Sequence, residues 1–425
     1  RTLSRRGALP VSGGEARRVA LAAGLGSQMV GVTYVLDEPT VGLHPNDVDG
    51  LMESLEELRE RGSSVVLVEH DERVVRRADW VVDLGPGAGE KGGRIVFAGT
   101  PQDVMGDSRS ATGAALRGEF HVPPRLRPDR STRQALRLRG ARTHNLKGID
   151  FQLNWGEFLG VCGPSGSGKS SLVVETLLPA LEGEPASGRW THFSGKGAQV
   201  VLVDASPIGA TPSSVPATYS GLMDHVRGLY ARTTEACAKG YGPAHFSFNS
   251  SRGRCPSCEG GGAIRVELQF LPDLWLVCED CDGSRYRPEV LEVKWRGKNV
   301  AHVLQMGVDQ ALDFFRHQPR MENILQSLRD VGLGYLRLGQ PANTLSGGEA
   351  QRMKLAGELS AARRGQARVI LLDEPTTGLH AMDVQRLMLV LQKLADSGHA
   401  LVMIEHDPAA LSACDRLVEL GPGGG

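Results

Sequence analysis

Short apolar runs alternate with longer amphipathic stretches along this chain. Four of the runs end in acids: Thr33-Tyr-Val-Leu36 before Asp37, Ser64-Val-Val-Leu-Val68 before Glu69, Val369-Ile-Leu-Leu372 before Asp373, and Ala400-Leu-Val-Met-Ile404 before Glu405. Uninterrupted runs of this length predict parallel strands buried on both faces. Val48 to Arg61 and Val384 to Ser397 carry helical spacing between them. Leu136 to Arg139 alternates apolar and basic residues and predicts an edge strand. Phe151-Gln-Leu-Asn154 and Phe158-Leu-Gly-Val-Cys162 predict two more strands, the second buried, and a helix is predicted from Lys169 to about Leu178. Strands alternating with helices predict an α/β layered core.

The pattern occurs twice. Leu36-Asp37-Glu38-Pro39-Thr40 returns as Leu372-Asp373-Glu374-Pro375-Thr376, and Gly42-Leu43-His44 as Gly378-Leu379-His380. Glu69-His70-Asp71 returns as Glu405-His406-Asp407, and Leu84-Gly85-Pro86-Gly87 as Leu420-Gly421-Pro422-Gly423. All four pairs share one offset of 336 positions, whereas Ser12-Gly13-Gly14-Glu15 returns as Ser346-Gly347-Gly348-Glu349 at 334. Two related modules are therefore expected, the first cut off at its front. Between them, His121 to Arg133 is rich in Pro and Arg without periodicity and predicts a linker.

Gly163-Pro-Ser165-Gly166-Ser-Gly168-Lys169-Ser170 lies between a predicted strand and a predicted helix that continues with Ser171. Such a loop lets backbone N–H groups wrap phosphate oxygens, with Lys169 reaching the β- and γ-phosphates and Ser170 holding Mg²⁺. Asp37 and Asp373 end strands, where a carboxylate can hold Mg²⁺. Glu38 and Glu374 follow and can polarise an attacking water as general bases. His70 and His406 each follow a strand and a Glu, suited to contact a γ-phosphate.

Composition narrows the picture. The chain has 425 residues, enough for two or three domains, and 48 basic against 49 acidic residues, so bulk charge argues neither for nor against nucleic acid. The residues from Arg1 onward carry no signal- or transit-peptide pattern, so none is expected, and no apolar run approaches the ~18 residues of a membrane helix. Of seven cysteines, Cys255, Cys258, Cys278 and Cys281 form two C-x-x-C pairs, the spacing of a structural four-thiolate Zn²⁺ site, with a redox or vestigial role as the alternative. Arg252, Arg254, Arg265, Arg285 and Arg287 surround them, interleaved with His245, Phe246, Phe248, Trp275 and Tyr286. That mixture reads either as a nucleic-acid surface or as a solvated rim over a small aromatic core.

Together these motifs resemble the ABC ATPase family, and over nearly the whole chain its UvrA branch. The passages that carry the resemblance include Gly140-Ala-Arg-Thr-His-Asn-Leu-Lys-Gly-Ile149, Gly221 to Arg227, Phe246-Ser-Phe-Asn249, Ala78 to Gly89, Leu338-Gly-Gln340 and Thr344-Leu-Ser-Gly-Gly-Glu-Ala-Gln-Arg352. The cysteine module between Lys169 and Ser346 separates the chain from ordinary transporter cassettes, whose insert is much shorter. The resemblance implies tandem ABC-type P-loop ATPase cores with an inserted zinc module. Residues 1–120 would be the end of a first half, 121–135 a linker, 136–185 the P-loop subdomain of a second, 186–335 an insert with zinc at about 245–290, and 336–425 the remainder. It implies one potentially complete composite ATP site, Gly163–Ser170 with Asp373, Glu374, His406, Ser12, Gly13 and Gly14, and a second, of Asp37, Glu38 and His70 with Ser346, Gly347 and Gly348, whose P-loop is not in this sequence. It further implies ATP-dependent recognition of lesions in double-stranded DNA during nucleotide excision repair, a homodimer, a cytoplasmic location, and a UvrB-like partner whose docking region belongs upstream.

The chain departs from the family pattern at Ala205, where a glutamine usually senses Mg²⁺ and the attacking water and relays nucleotide state to the insert. Basic positions look reduced at Ala210 and Ser213, and the first signature reads Val11-Ser12-Gly13-Gly14-Glu15-Ala16-Arg17. These changes suit a diverged paralogue, such as those that accompany resistance to DNA-binding drugs. An exporter ATPase is the third reading, and the long cysteine-bearing insert opposes it.

Overall fold

The structure, a computed structural model, describes residues 31–40, 43, 45–87, 89, 92–125, 134–164, 166–195, 198–209, 211, 213–266, 274–362 and 367–421. The chain divides into two compact units, Arg1–Leu202 with Ala367–Gly425, and Val203–Gln366. The second unit therefore takes in the Ser346–Glu349 turn along with the cysteine module. Among the described residues no helix is long and apolar enough to cross a membrane.

In the first unit, β1 (Thr33–Asp37) and β2 (Ser64–Val68) pair in parallel, Asp37 opposite Val68. Helix α1 (Pro45–Glu60) covers one face, where Val48, Met52, Leu55 and Leu58 pack with Tyr34, Leu36, Val65 and Leu67. Helix α2 (Glu72–Arg77) starts at Asp71, whose side chain accepts from the Arg73 amide. A hairpin of β3 (Val81–Gly85) and β4 (Arg94–Gly99) follows.

The expected burial on both faces fails for this copy. Val35, Val66 and Val68 stay 69%, 51% and 55% exposed. Their counterparts at the 336-residue offset, Leu371, Val402 and Ile404, are buried. The difference has a physical cause. The second copy has further strands and a helix over that face, and among the described residues the first copy has none.

Those covering elements begin with β5 (Gln134–Ala141) and β6 (Ile149–Asn154), followed by β7 (Phe158–Cys162). The run after the glycine-rich loop is α3 (Lys169–Leu172), a π-helical turn at Val173–Leu177, and α4 (Leu178–Glu182). The predicted single helix to Leu178 thus continues to Glu182 through a wider turn. There the Thr176 hydroxyl bonds the carbonyl of Ser171, five residues back, at 2.6 Å. Strand β8 (His192–Ser194) completes a three-stranded sheet in the order β6-β5-β8. Leu136–Arg139 therefore lies in a central strand, not an edge strand. Its alternation arises because Leu136 and Leu138 are buried on one face while Arg137 and Arg139 meet solvent on the other.

Strand β9 (Val200–Val203) leads into the second unit, which holds α5 (Leu222–Tyr230), a hairpin of β10 (Ala263–Val266) and β11 (Leu274–Val277), α6 (Pro319–Asp330) and α7 (Gly347–Ala362). Its core is aromatic: Tyr230, Phe246, Phe248, Tyr286 and Phe315 are fully buried.

The chain returns as β12 (Val369–Asp373), α8 (Ala381–Asp396), β13 (Ala400–Ile404), α9 (Pro408–Ser412) and β14 (Arg416–Glu419). The sheet order is β14-β7-β13-β12-β9, with β12, β13, β7 and β14 parallel. Leu136, Leu138, Phe151, Leu153, Leu172 and Val173 cover it in one core with Leu371, Val402 and Ile404. The start of the predicted linker is docked on α8. Gln385 Nε2 donates to the His121 carbonyl at 2.7 Å and Gln392 Nε2 to the Pro123 carbonyl at 3.1 Å. Arg125 pairs with Asp396 at 2.6 Å and Asp415 at 2.9 Å.

Candidate nucleotide site and cysteine centre

The glycine-rich loop leaves the half-buried end of β7, and among its described residues Gly163 (φ 141°), Gly166 (78°) and Gly168 (100°) lie in the left-handed region. A Cβ on Gly163 would stand 2.3 Å from the Leu420 carbonyl, so no side chain fits there. Asn145, on the turn between β5 and β6, donates from Nδ2 to the Gly166 carbonyl at 2.9 Å and fixes the crest of the loop. Lys169 Nζ turns back into the loop, donating to the Gly163 carbonyl at 2.9 Å and the Pro164 carbonyl at 3.1 Å. Burial lowers the Lys169 pKa, against the opposing pull of Glu374 and Asp373, so all three charges share one locality. Ser170 and Ser171 occupy the first turn of α3. Ser165 lies outside the described residues.

Asp373 ends β12 and Asp37 ends β1. The glutamate after each adopts a left-handed backbone, Glu374 at φ 47° and Glu38 at φ 44°. Each is tied to the neighbouring strand, Glu374 N to the Ile404 carbonyl at 3.0 Å and Glu38 N to the Val68 carbonyl at 2.9 Å. A non-glycine residue held so costs about 1–3 kcal/mol, and its repetition in both copies marks a built feature that aims the side chain.

Sequence reasoning passed over the residues that organise this turn. Glu405, fully buried, accepts from the amide and hydroxyl of Thr376 through one oxygen. Its other oxygen accepts from the amides of His406 at 2.9 Å and Asp407 at 3.3 Å. Glu69 does the same with Thr40, His70 and Asp71. The signal was present, since the repeat contains both the Glu before each His and the Thr after each Pro. Burial raises the Glu405 pKa, against the His406 charge and the bonds from Thr376.

His70 and His406 line one cavity of about 400 Å³, together with Thr40, Asp71, Thr376 and Asp407. A Cβ on Gly378 would stand 3.3 Å from Glu38 Oε2, so the carboxylate of one copy abuts the turn of the other. Ser12, Gly13 and Gly14 lie outside the described residues. In the second unit, Ser346 and Glu349 bond reciprocally at the start of α7, at 2.9 Å and 3.2 Å, with Gly347 and Gly348 between them. Tyr335, whose pKa burial pushes up to about 12, donates to Glu349 Oε1 at 2.7 Å.

The Sγ atoms of Cys255, Cys258, Cys278 and Cys281 all lie within 4.8 Å of one another, with Cys258 and Cys281 at 3.6 Å. A tetrahedral thiolate set at about 2.3 Å from Zn²⁺ puts sulfurs about 3.8 Å apart, so the four thiols fit that ion. Gly262 N donates to Cys258 Sγ at 3.3 Å, and Cys255 N to the Arg285 carbonyl at 2.9 Å. Burial raises Cys258 and pushes Cys281 up to about 12.

Several residues expected around this centre face inward. Phe246, Phe248 and Tyr286 form core, and Arg285 is buried, its guanidinium over the Phe248 ring and donating to the Gly339 carbonyl at 3.1 Å. These four are therefore not a surface; packing claims them. Trp275 and Arg265 stand opposite each other on the exposed β10–β11 hairpin, and Arg252 and Arg287 are exposed.

A family model described as ABC transporter matches residues 279–377. UvrABC system protein A of Thermus thermophilus is 48% identical over 427 residues, 99% of this chain and 45% of that protein. The Staphylococcus aureus (strain COL) protein of the same name is 47% identical over 98% of this chain and 44% of its own length. The crystal structure of UvrA2 from Deinococcus radiodurans superposes with a TM-score of 0.89 at 47% identity, covering 97% of this chain and 50% of that one. The chain thus spans about half the length of the relatives it matches.

Proposed function

The chain is homologous along nearly its whole length to UvrA proteins, and from that premise we propose that it is part of an ATP-driven detector of damaged double-stranded DNA in nucleotide excision repair. One observation carries the nucleotide part: Lys169 is folded into a cradle of positive-φ glycines beside Asp373 and Glu374. Lys169 exchanges its two carbonyl partners for the β- and γ-phosphates of ATP. The amides of Gly166, Gly168, Ser170 and Ser171 would line the rest of the cradle. Ser170 and Asp373 would hold Mg²⁺, which would neutralise phosphate charge. Glu374 orients and deprotonates the attacking water, and His406 contacts the γ-phosphate. Ser12, Gly13 and Gly14 close this site from the first copy. Asp37, Glu38 and His70 are assigned to a second nucleotide site whose P-loop is not in this sequence, and Ser346, Gly347 and Gly348 to a nucleotide-capping turn.

Cys255, Cys258, Cys278 and Cys281 hold a structural Zn²⁺, because all four tetrahedral positions are filled by protein. Distorted duplex DNA is read by deformability more than by base identity. A homodimer, a UvrB-like partner and a cytoplasmic setting complete the proposal. Ala205 favours a second reading, a paralogue that acts on drug-bound DNA.

The test is steady-state ATP hydrolysis by zinc-loaded protein with lesion-bearing, drug-bound and undamaged duplexes. The proposal expects the lesion duplex to change the rate most. A preferential response to the drug-bound duplex selects the second reading, and a rate indifferent to all DNA overturns both.

A further inference from the structure

One lysine clamps α7 to the stretch that follows β9. Gln351, in the first turns of α7, donates from Nε2 to the carbonyl of Val203 at 3.2 Å in a buried setting. One turn later Lys354 Nζ donates to the Asp204 carbonyl at 3.0 Å and to Ser206 Oγ at 2.7 Å, and it pairs with the Asp204 carboxylate. These three acceptors use all three N–H bonds of the ammonium. Ser206 Oγ donates in turn to Asp204 Oδ1 at 2.6 Å. The Lys354 side chain is only 14% exposed, so water competes weakly for these bonds. Between Asp204 and Ser206 stands Ala205, whose side chain has no polar atom. A Cβ on Gly347 would lie 3.2 Å from the Ala205 Cβ, so the turn that opens α7 rests directly on it. Farther along, Ala342 N donates to the Ser214 carbonyl at 2.8 Å. The stretch after β9 is thus fastened to α7 at Val203, Asp204 and Ser206 and to Ala342 at Ser214.

We infer that Lys354 is a positioning residue that makes the Asp204–Ser206 stretch and the Ser346–Gly348 turn move as one body. It ties the residues on both sides of Ala205 to α7, so a displacement of that stretch is carried to the nucleotide-capping turn of the proposed function. The inference rests on the reading of Ser346–Gly348 as that turn. Two features separate it from a plain staple. The clamp holds the strand exit and the capping turn together, and its hydrogen bonds converge on the two residues that flank Ala205.

Hydrogen exchange on the whole chain tests it, following amides at 343–350 and at 163–171 with and without ATP and Mg²⁺. In the unaltered protein ATP slows exchange in both segments. Lys354→Met keeps the effect at 163–171 and loses about tenfold of the protection at 343–350, while Lys354→Arg restores most of it. Should Lys354→Met fail to fold, Asp204→Asn removes the charge pair alone, and a smaller loss confined to 343–350 is expected. Undiminished protection at 343–350 in folded Lys354→Met overturns the inference. Absence of protection at 163–171 in the unaltered protein overturns the nucleotide reading itself.

Discussion

Thr376 and Glu405 are joined by two hydrogen bonds to one carboxylate oxygen, from the Thr376 amide at 2.9 Å and from its hydroxyl. Thr40 and Glu69 repeat the arrangement at 2.9 Å and 2.6 Å. In both copies the second oxygen gathers the amides of the following His and Asp. A single acid therefore locks the residues just after the candidate general base to the backbone of His406 in one copy and His70 in the other. The duplication makes this a design of the fold rather than an accident of one loop.

Glu405→Gln tests the lock. All its partners are donors, so an amide –NH₂ must face at least one of them. Leaving buried donors unpaired costs about 1–3 kcal/mol. Chemical denaturation should show a loss near the upper end of that range, and a smaller loss for Glu69→Gln, since Glu69 is only partly buried.

Gly163→Ala places a methyl against the Leu420 carbonyl at a backbone angle that alanine rarely adopts. ATP affinity measured by calorimetry should fall at least ~tenfold, a change of about 1.4 kcal/mol, with far-UV circular dichroism unchanged.

Glu374→Gln removes the proposed base and keeps its shape. ATP hydrolysis should drop by ~10²-fold or more while ATP binding stays close to that of the unaltered chain.

Much of this was legible in the residues. The 336-residue repeat located both acid-ended strands, and His70 and His406 after the strands that pair with them, because parallel strands leave uninterrupted apolar runs. Periodicity could not show which copy is covered: Val35 and Leu371 look alike in sequence, yet one is exposed and the other buried. Nor could it show that Leu136–Arg139 is central, since alternation reports one buried face and not the number of neighbours. The cysteine spacing gave the cluster, but Arg285 reads as a surface charge until its bond to the Gly339 carbonyl is seen.

Zinc removal should unfold the cysteine module locally. The protein should carry close to one Zn²⁺ per chain by elemental analysis. Cys258→Ser should lower that content and speed hydrogen exchange in the β10–β11 hairpin, because metal binding in such modules contributes roughly 10–16 kcal/mol.

The Lys354 clamp carries a pH signature. Burial raises Asp204, but the hydrogen bonds from Lys354 and Ser206 outweigh it and hold the carboxyl below its ordinary value. The unfolded chain then takes up the proton first, so the stabilisation is present above the unfolded pKa of about 3.9 and is lost as pH falls through the folded value. Lys354→Met should melt below the unaltered protein at neutral pH. That gap in Tm should close below about pH 4.

The most direct test of the account is fluorescence anisotropy of the zinc-loaded chain with a lesion-bearing duplex and its undamaged twin, with and without ATP and Mg²⁺. The account predicts tighter binding to the lesion duplex, with the difference between duplexes set by ATP and abolished in Lys169→Ala. Equal binding of both duplexes by folded, zinc-bound protein, whatever the nucleotide, would contradict it.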